Sequence, residues 1–287
     1  MDVGGFIKYL QFEKRFSEHT LTAYSTDLQQ FQAFLESIYG EAEWQQVKAS
    51  QIRSWMAYLL EQKQAPASIR RKISTLKTFY RFWRRTYPDF RDPTKGIQTP
   101  KLQKRLPVTA DSTALHRLLA SFPAEADFPT LRDKLVLELL YGTGLRRSEL
   151  LGLSLGDVSL SESRLRIKGK GNKERLVPFG PAVKEALEHY LKVRKEHYPD
   201  RSHLILTDKG NQPYPKWVYN KVKQYLGALP YLEKASPHVL RHSFATHLSD
   251  GGADLKEMLE RCWGLGIRSV FCEGGGRLAT ALTREEL

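Results

Sequence analysis

The sequence predicts a mainly α-helical protein with one small antiparallel β-sheet. Apolar residues recur at three- and four-residue steps along most of the chain. One stretch, residues 163–179, switches to a two-residue alternation around a glycine turn. A third feature, the proline-rich basic stretch 88–108, separates an all-helical amino-terminal part from the remainder.

The first helix runs from about Phe6 to Phe16. Ser17 can cap the next, in which Leu21, Tyr24, Leu28, Phe31 and Phe34 recur at helical spacing between Thr20 and Ser37. A third, about Ser50 to Gln62, carries Ile52, Trp55, Met56, Leu59 and Leu60. The fourth spans about Ser68 to Tyr87, with Ile69, Ile73, Leu76, Tyr80 and Trp83 as an apolar seam. Arg70, Lys77, Arg81 and Arg84 fall on a different face. Such a helix, about 30 Å long at 1.5 Å per residue, packs one side into a bundle and turns bases outward, as a DNA groove requires.

Pro88, Pro93, Pro100 and Pro107, with Gly96, exclude a helix in the next stretch. Residues 91–108 read as an extended basic linker with Lys101, Lys104 and Arg105 facing phosphates, joining a domain over 1–90 to one over 109–260. Helices follow at about 111–121, 129–140 and 146–152. The hairpin comes next: Leu165 and Ile167 alternate with Arg164, Arg166 and Lys168, Gly169–Asn172 turns, and Glu174–Phe179 returns. Helical patterns resume at about 181–197, 213–226 and 237–249.

Charge narrows the function. The 287 residues hold 45 Lys+Arg against 32 Asp+Glu, a net +13, in an otherwise ordinary globular composition (41% hydrophobic, 27% charged). Between residues 63 and 105 thirteen bases face two acids, Asp89 and Asp92. Six more bases between 164 and 175, including Lys168, Lys170 and Lys173, face only Glu174. Single charge runs are usually solvated surface. Two dense clusters in a chain otherwise near balance point to a polyanion, with nucleic acid first. No apolar run is long enough for a membrane span. The start lacks the basic and apolar regions of a secretory signal. Two cysteines, Cys262 and Cys272, fit a reducing compartment and match no common metal-ligand spacing. The reading is a cytoplasmic, nucleoid-associated protein with no metal and no cofactor.

Four short features can carry chemistry. In Gly142-Thr143-Gly144-Leu145-Arg146-Arg147-Ser148-Glu149 a tight turn leads into a helix, with Arg146 at its entry and Glu149 placed to hold a guanidinium. Taken alone, this is an ordinary ion pair. Lys170 sits in the hairpin turn, normally just an exposed lysine. In Ser236-Pro237-His238-Val239-Leu240-Arg241, serine and proline start a helix, so His238 and Arg241 share a face near its positive end. Tyr141, flanked by apolar residues, reads as core.

Together these motifs are specific. From about Phe6 to Glu260 the chain resembles the tyrosine recombinases, and within them the Xer-type bacterial recombinases. The matching stretches include His19–Tyr24, Ser68–Ser74, Arg132–Leu153, Gly169–Pro178 and Pro237–Asp254. The resemblance implies a four-helix, SAM-like core-binding domain and a mostly helical integrase-like catalytic core that clamp double-stranded DNA. It implies a tyrosine that attacks the scissile phosphate, displaces the 5′-hydroxyl and leaves a 3′-phosphotyrosine. Arg146 and Arg241 match the two phosphate-holding arginines, whose planar forks suit a pentavalent transition state. Lys170 matches the general acid for the leaving oxygen, and His238 the histidine that positions or deprotonates the nucleophile. The implied partners are DNA, a homo- or hetero-oligomeric (tetrameric) synapse with a paralogous recombinase, and a DNA translocase.

The chain departs from that pattern after residue 260. The family continues with Leu-Leu-Gly-His and then the tyrosine, whereas here Arg261-Cys262-Trp263-Gly264 follows and the last tyrosine is Tyr231. No nucleophilic tyrosine is therefore assigned, and this chain is expected not to cleave. Residues 266–279 are similar to a short segment of the bacterial riboflavin-biosynthesis reductase domain. A fragment so short carries over no reductase activity. A gene fusion or rearrangement, or a change of frame near residue 261, would produce this tail of 261–287, and its orderly pattern favours the fusion.

Overall fold

The structure, a computed structural model, describes residues 3–40, 43–101, 108–169, 174–229, 232 and 234–250. The chain divides into two compact units, Met1–Arg105 and Leu106–Leu287.

In the first unit α1 (Val3–Lys8) runs into a π-helical turn at Tyr9–Glu13, where the sequence reads as one continuous helix. Next come α2 (Glu18–Tyr39), α3 (Ala49–Glu61) and α4 (Pro66–Thr86). Ser17 caps α2, its hydroxyl accepting the Thr20 N–H. The seam of α4 is buried as its spacing demands, and Phe79 joins it. Each such side chain adds about 1.5–3 kcal/mol on leaving water. Asp27, buried on α2, accepts hydrogen bonds from Arg71, Lys72 and Thr75 of α4, so the apolar interface carries a polar pin.

The stretch after α4 is less extended than its prolines suggest. Phe90 stacks on Tyr80 with ring centroids 5.8 Å apart, Asp92 caps the Thr94 N–H, and Ile97 is buried in this unit's core. Residues 90–97 thus belong to the amino-terminal unit, because Phe90 and Ile97 find its core within reach.

The second unit is built around α6 (Phe128–Gly142). Asp127 caps it, accepting the Thr130 N–H at 3.0 Å, and Pro129 occupies its first turn. Ten of its residues are buried, so it is enclosed rather than amphipathic. Around it pack α5 (Ser112–Ala120), α7 (Arg147–Gly152), α8 (Pro181–His197), α9 (Pro215–Leu226) and α10 (Pro237–Asp250). The sheet is antiparallel, in the order β1 (Val158–Ser159), β2 (Arg164–Lys168), β3 (Glu174–Pro178). In it Leu165 faces Val177, Ile167 faces Arg175 and Lys168 faces Glu174.

A buried ionic cluster locks α6 to α9. Arg132, fully buried, donates through Nε and Nη2 to Asp133 and through Nη1 to Asp208 at 2.6 Å. Its guanidinium lies 4.7 Å from the Trp217 ring centroid. Asp133 also accepts from Lys221 at 2.7 Å and Tyr225 at 3.1 Å.

Candidate functional site

The carboxyl end of α6 delivers the loop 142–146. Gly144 has φ +60°, a conformation that glycine takes without strain, and a Cβ there would meet the Phe244 ring at 2.6 Å. The loop is thus pressed against α10. On α10 the Arg241 guanidinium donates to the Gly144 carbonyl. Arg241 and the segment leading to Arg146 are therefore in direct contact, although almost a hundred residues separate them in the chain.

Arg146 stands at the entry of α7, and Glu149 closes the turn from within. The Glu149 carboxylate accepts the Arg146 backbone N–H at 2.8 Å and the Arg146 Nη1 at 3.1 Å. It accepts a second guanidinium as well: Arg175 Nη1 and Nη2 reach its two oxygens at 2.8 and 2.9 Å. Burial alone would raise the pKa of Glu149. The Arg175 and Arg146 hydrogen bonds outweigh it and hold the carboxyl below its ordinary value. The Arg146 side chain is 40% exposed while Glu149 is 5% exposed, so the carboxylate is sealed and the guanidinium lies nearer the surface. A polar hollow of about 40 Å³ adjoins the cluster, lined by Ser148, Glu149, Asp157, Arg166 and Lys168 among others.

His238 is exposed in the first turn of α10, one turn before Arg241. The structure thus gathers Arg146, Glu149 and Arg241 around one loop and puts His238 on the helix that carries Arg241. Lys170, Lys173, Lys104, Arg105 and the tail 261–287 lie outside the described residues. Of the other expected DNA contacts, Arg70, Arg81, Arg84, Lys101 and Lys168 are exposed. Lys77 differs from its outward reading: it is half-buried and its Nζ donates to the Ile97 carbonyl at 3.0 Å. The residues after α4 fold back over that face, which the helical pattern of α4 alone does not reveal.

Two features escaped the sequence reading. Arg175 was counted only as charge, yet it grips Glu149. Tyr141 is half-buried rather than core, and its hydroxyl meets the Nδ1 of His247 at 3.0 Å. Among the described residues no His, Cys, Asp or Glu cluster could hold a metal ion, and no helix is long and apolar enough to cross a membrane.

The sequence matches the Phage integrase family over residues 112–262 and the Phage integrase, N-terminal SAM-like domain over residues 3–86. It is 37% identical over 282 residues to the tyrosine recombinase XerC of Chlorobaculum parvum, covering 89% of this chain and 84% of that protein. To the tyrosine recombinase XerD of Shewanella oneidensis it is 38% identical over 257 residues, covering 88% and 85%. A crystal structure of the XerH site-specific recombinase bound to a palindromic difH substrate, in a post-cleavage complex, has the same fold. The TM-score is 0.69 at 20% identity, covering 98% of this chain and 79% of that one.

Proposed function

We propose, from the premise that this chain belongs to the phage integrase family and within it to the Xer-type tyrosine recombinases, that it acts in site-specific DNA recombination. In this reading it binds double-stranded DNA and seats one phosphodiester against Arg146 and Arg241. The contact of Arg241 with the Gly144 carbonyl carries the reading, because it puts two guanidinium-bearing elements at one place. Two planar forks bind the non-bridging oxygens and stabilise the charge that grows there as a fifth bond forms at phosphorus. Glu149 orients the first fork. Lys170 protonates the departing 5′-oxygen, and His238 positions or deprotonates the attacking hydroxyl. The exposed bases Arg70, Arg81, Arg84, Lys101 and Lys168, with Lys104, Arg105 and Lys173, grip the backbone and set register without reading bases. DNA integration or chromosome dimer resolution, on chromosomal DNA in the cytoplasm, is the biological setting. The working form is a synapse with like or paralogous protomers, served by a DNA translocase.

Within these 287 residues no tyrosine follows Tyr231, so the chain by itself forms no covalent intermediate. A tyrosine supplied by another protomer would restore turnover. The absent nucleophile also favours a second reading, a DNA-binding remnant that occupies a recombination site without cutting it.

Selection of duplexes from a random pool should enrich one site, with binding that falls steeply as salt rises. Unselective, salt-insensitive binding would overturn the proposal. Suicide duplexes carrying the enriched site should give no protein–DNA adduct on denaturing gels with this chain alone. An adduct would refute the loss of cleavage. Adding an intact relative should yield mixed complexes that cut; if they never cut, the remnant reading stands.

A further inference from the structure

The amino-terminal unit exposes an apolar knob near one end of α2 and an apolar seat at the other. Phe12, 70% exposed, projects from the π-helical turn. Just beyond that turn Phe16 packs on Tyr24, in the amino-terminal half of α2, with ring centroids 6.0 Å apart. Ile38 and Tyr39 end α2, and Tyr58 of α3 stands beside them; the three are 42–58% exposed. The Phe34 ring ties this seat together, 6.3 Å from the Tyr39 ring and 5.3 Å from the Tyr58 ring. Contiguous exposed apolar side chains rimmed by charge mark an interaction site. From Tyr24 to Tyr39 the helix rises about 22 Å, so knob and seat stand apart within one copy. They also differ in sign. Around Phe12 in the chain are the exposed bases Lys8, Lys14 and Arg15, while Glu13 is answered by Arg85 at 3.8 Å. One helical turn from Tyr39 is Glu36, and one turn from Tyr58 is Glu61, both exposed. No base stands three or four residues from Ile38, Tyr39 or Tyr58 on these helices, and the carboxyl end of α2 adds negative potential.

We propose that these two surfaces join copies of the chain head to tail: Phe12 of one protomer seats on Ile38, Tyr39 and Tyr58 of the next, and the bases beside it face Glu36 and Glu61. This rests on the reading that like protomers work together on DNA, and it names where their amino-terminal units meet. Because the complementary surfaces lie at opposite ends of one helix, the contact repeats from copy to copy and does not close on itself in a pair. One knob on three side chains is a small contact, of the class that pairs free proteins only weakly. It forms where DNA holds copies side by side at high local concentration. The apolar fit supplies the attraction. The opposed charges fix the polarity, since two knobs or two seats brought face to face repel.

The test is disulfide trapping in the full chain, with both native cysteines replaced (Cys262→Ser, Cys272→Ser). Phe12→Cys and Tyr58→Cys are placed together in one chain, which is oxidised on a long random-sequence duplex saturated with protein. Non-reducing gels should show a ladder of dimers, trimers and larger species that collapses on reduction. A mixture of the two single variants should stop at dimers, and neither single variant alone should give more than background. Were Y58C not to fold, Tyr39→Cys takes its place. On the same duplex Lys14→Glu and Glu61→Lys should each lower the cooperativity of binding about threefold, and the chain carrying both should regain most of it. A double-cysteine chain that stays monomeric or stops at dimers on a duplex it binds would overturn the proposal alone, as would single variants that pair as strongly as their mixture. If the wild-type chain binds no duplex, the functional reading falls. The same trapping in concentrated protein without DNA then decides the contact: a ladder keeps it and the lack of one overturns it.

Discussion

Asp133 and Glu149 are both buried carboxylates holding two cations, yet the forks they hold are used in opposite ways. Around Asp133 the arginine is fully enclosed: Arg132 is 0% exposed, lies over Trp217 and spends its donors on Asp133, Asp208 and the Leu206 carbonyl. Around Glu149 the carboxylate is equally sealed, but the Arg146 side chain is 40% exposed. The first arrangement is a rivet and the second a bracket. Burial of the carboxylate is thus common to both clusters, and the exposure of the arginine is what separates them.

The largest expected effect comes from breaking the closed cluster. Arg132→Met leaves Asp133 and Asp208 without their central partner and should cost about 3–5 kcal/mol in urea denaturation. Arg146→Met removes a half-exposed fork and should cost no more than about 1 kcal/mol, while salt-dependent DNA binding falls. Equal costs for the two would erase the distinction.

Acid should sharpen the contrast next. The folded value of Glu149 lies below its ordinary 4.5, so the unfolded chain takes up that proton first. The contribution of Glu149 to stability is whole above that ordinary value and drains away as pH falls through the folded one. A thermal melt series at acid pH should show Glu149→Gln converging on the wild type below that window and separating above it. Parallel curves throughout would mean that the carboxyl is not held down.

The smallest effects distinguish spent from open cations on α4. Lys77→Met loses the bond to the Ile97 carbonyl and should cost about 1 kcal/mol. Arg81→Met should stay within about 0.5 kcal/mol and yet weaken binding to every duplex tested.

Most of the architecture was legible because it obeys simple periods. The seam of α4, the cap at Ser17, the start of α10 at Pro237 and the alternation of β2 are local patterns, and local patterns survive in one dimension. Arg146 and Glu149 were legible for the same reason, being three residues apart on one helical turn. Arg175 was not, since its meaning depends on a partner 26 residues away and on which side of a strand it faces. Lys77 was misjudged because the residues that cover it return from beyond a run of prolines. The Tyr141–His247 contact spans 106 residues and leaves no local trace.

The inward guanidinium of Arg175 also constrains how the hairpin can drift over generations. In a ribbon whose side chains alternate strictly, sliding one strand by a single position exchanges its two sides. Leu176 would then enter beneath the sheet and Arg175, already about a third exposed, would lose its two-pronged hold on Glu149, leaving that carboxylate to Arg146 alone. Gain or loss of one residue in the neighbouring turn is thus a penalised change, whereas paired insertions that preserve parity are tolerated. Length variation among such turns should run in steps of two.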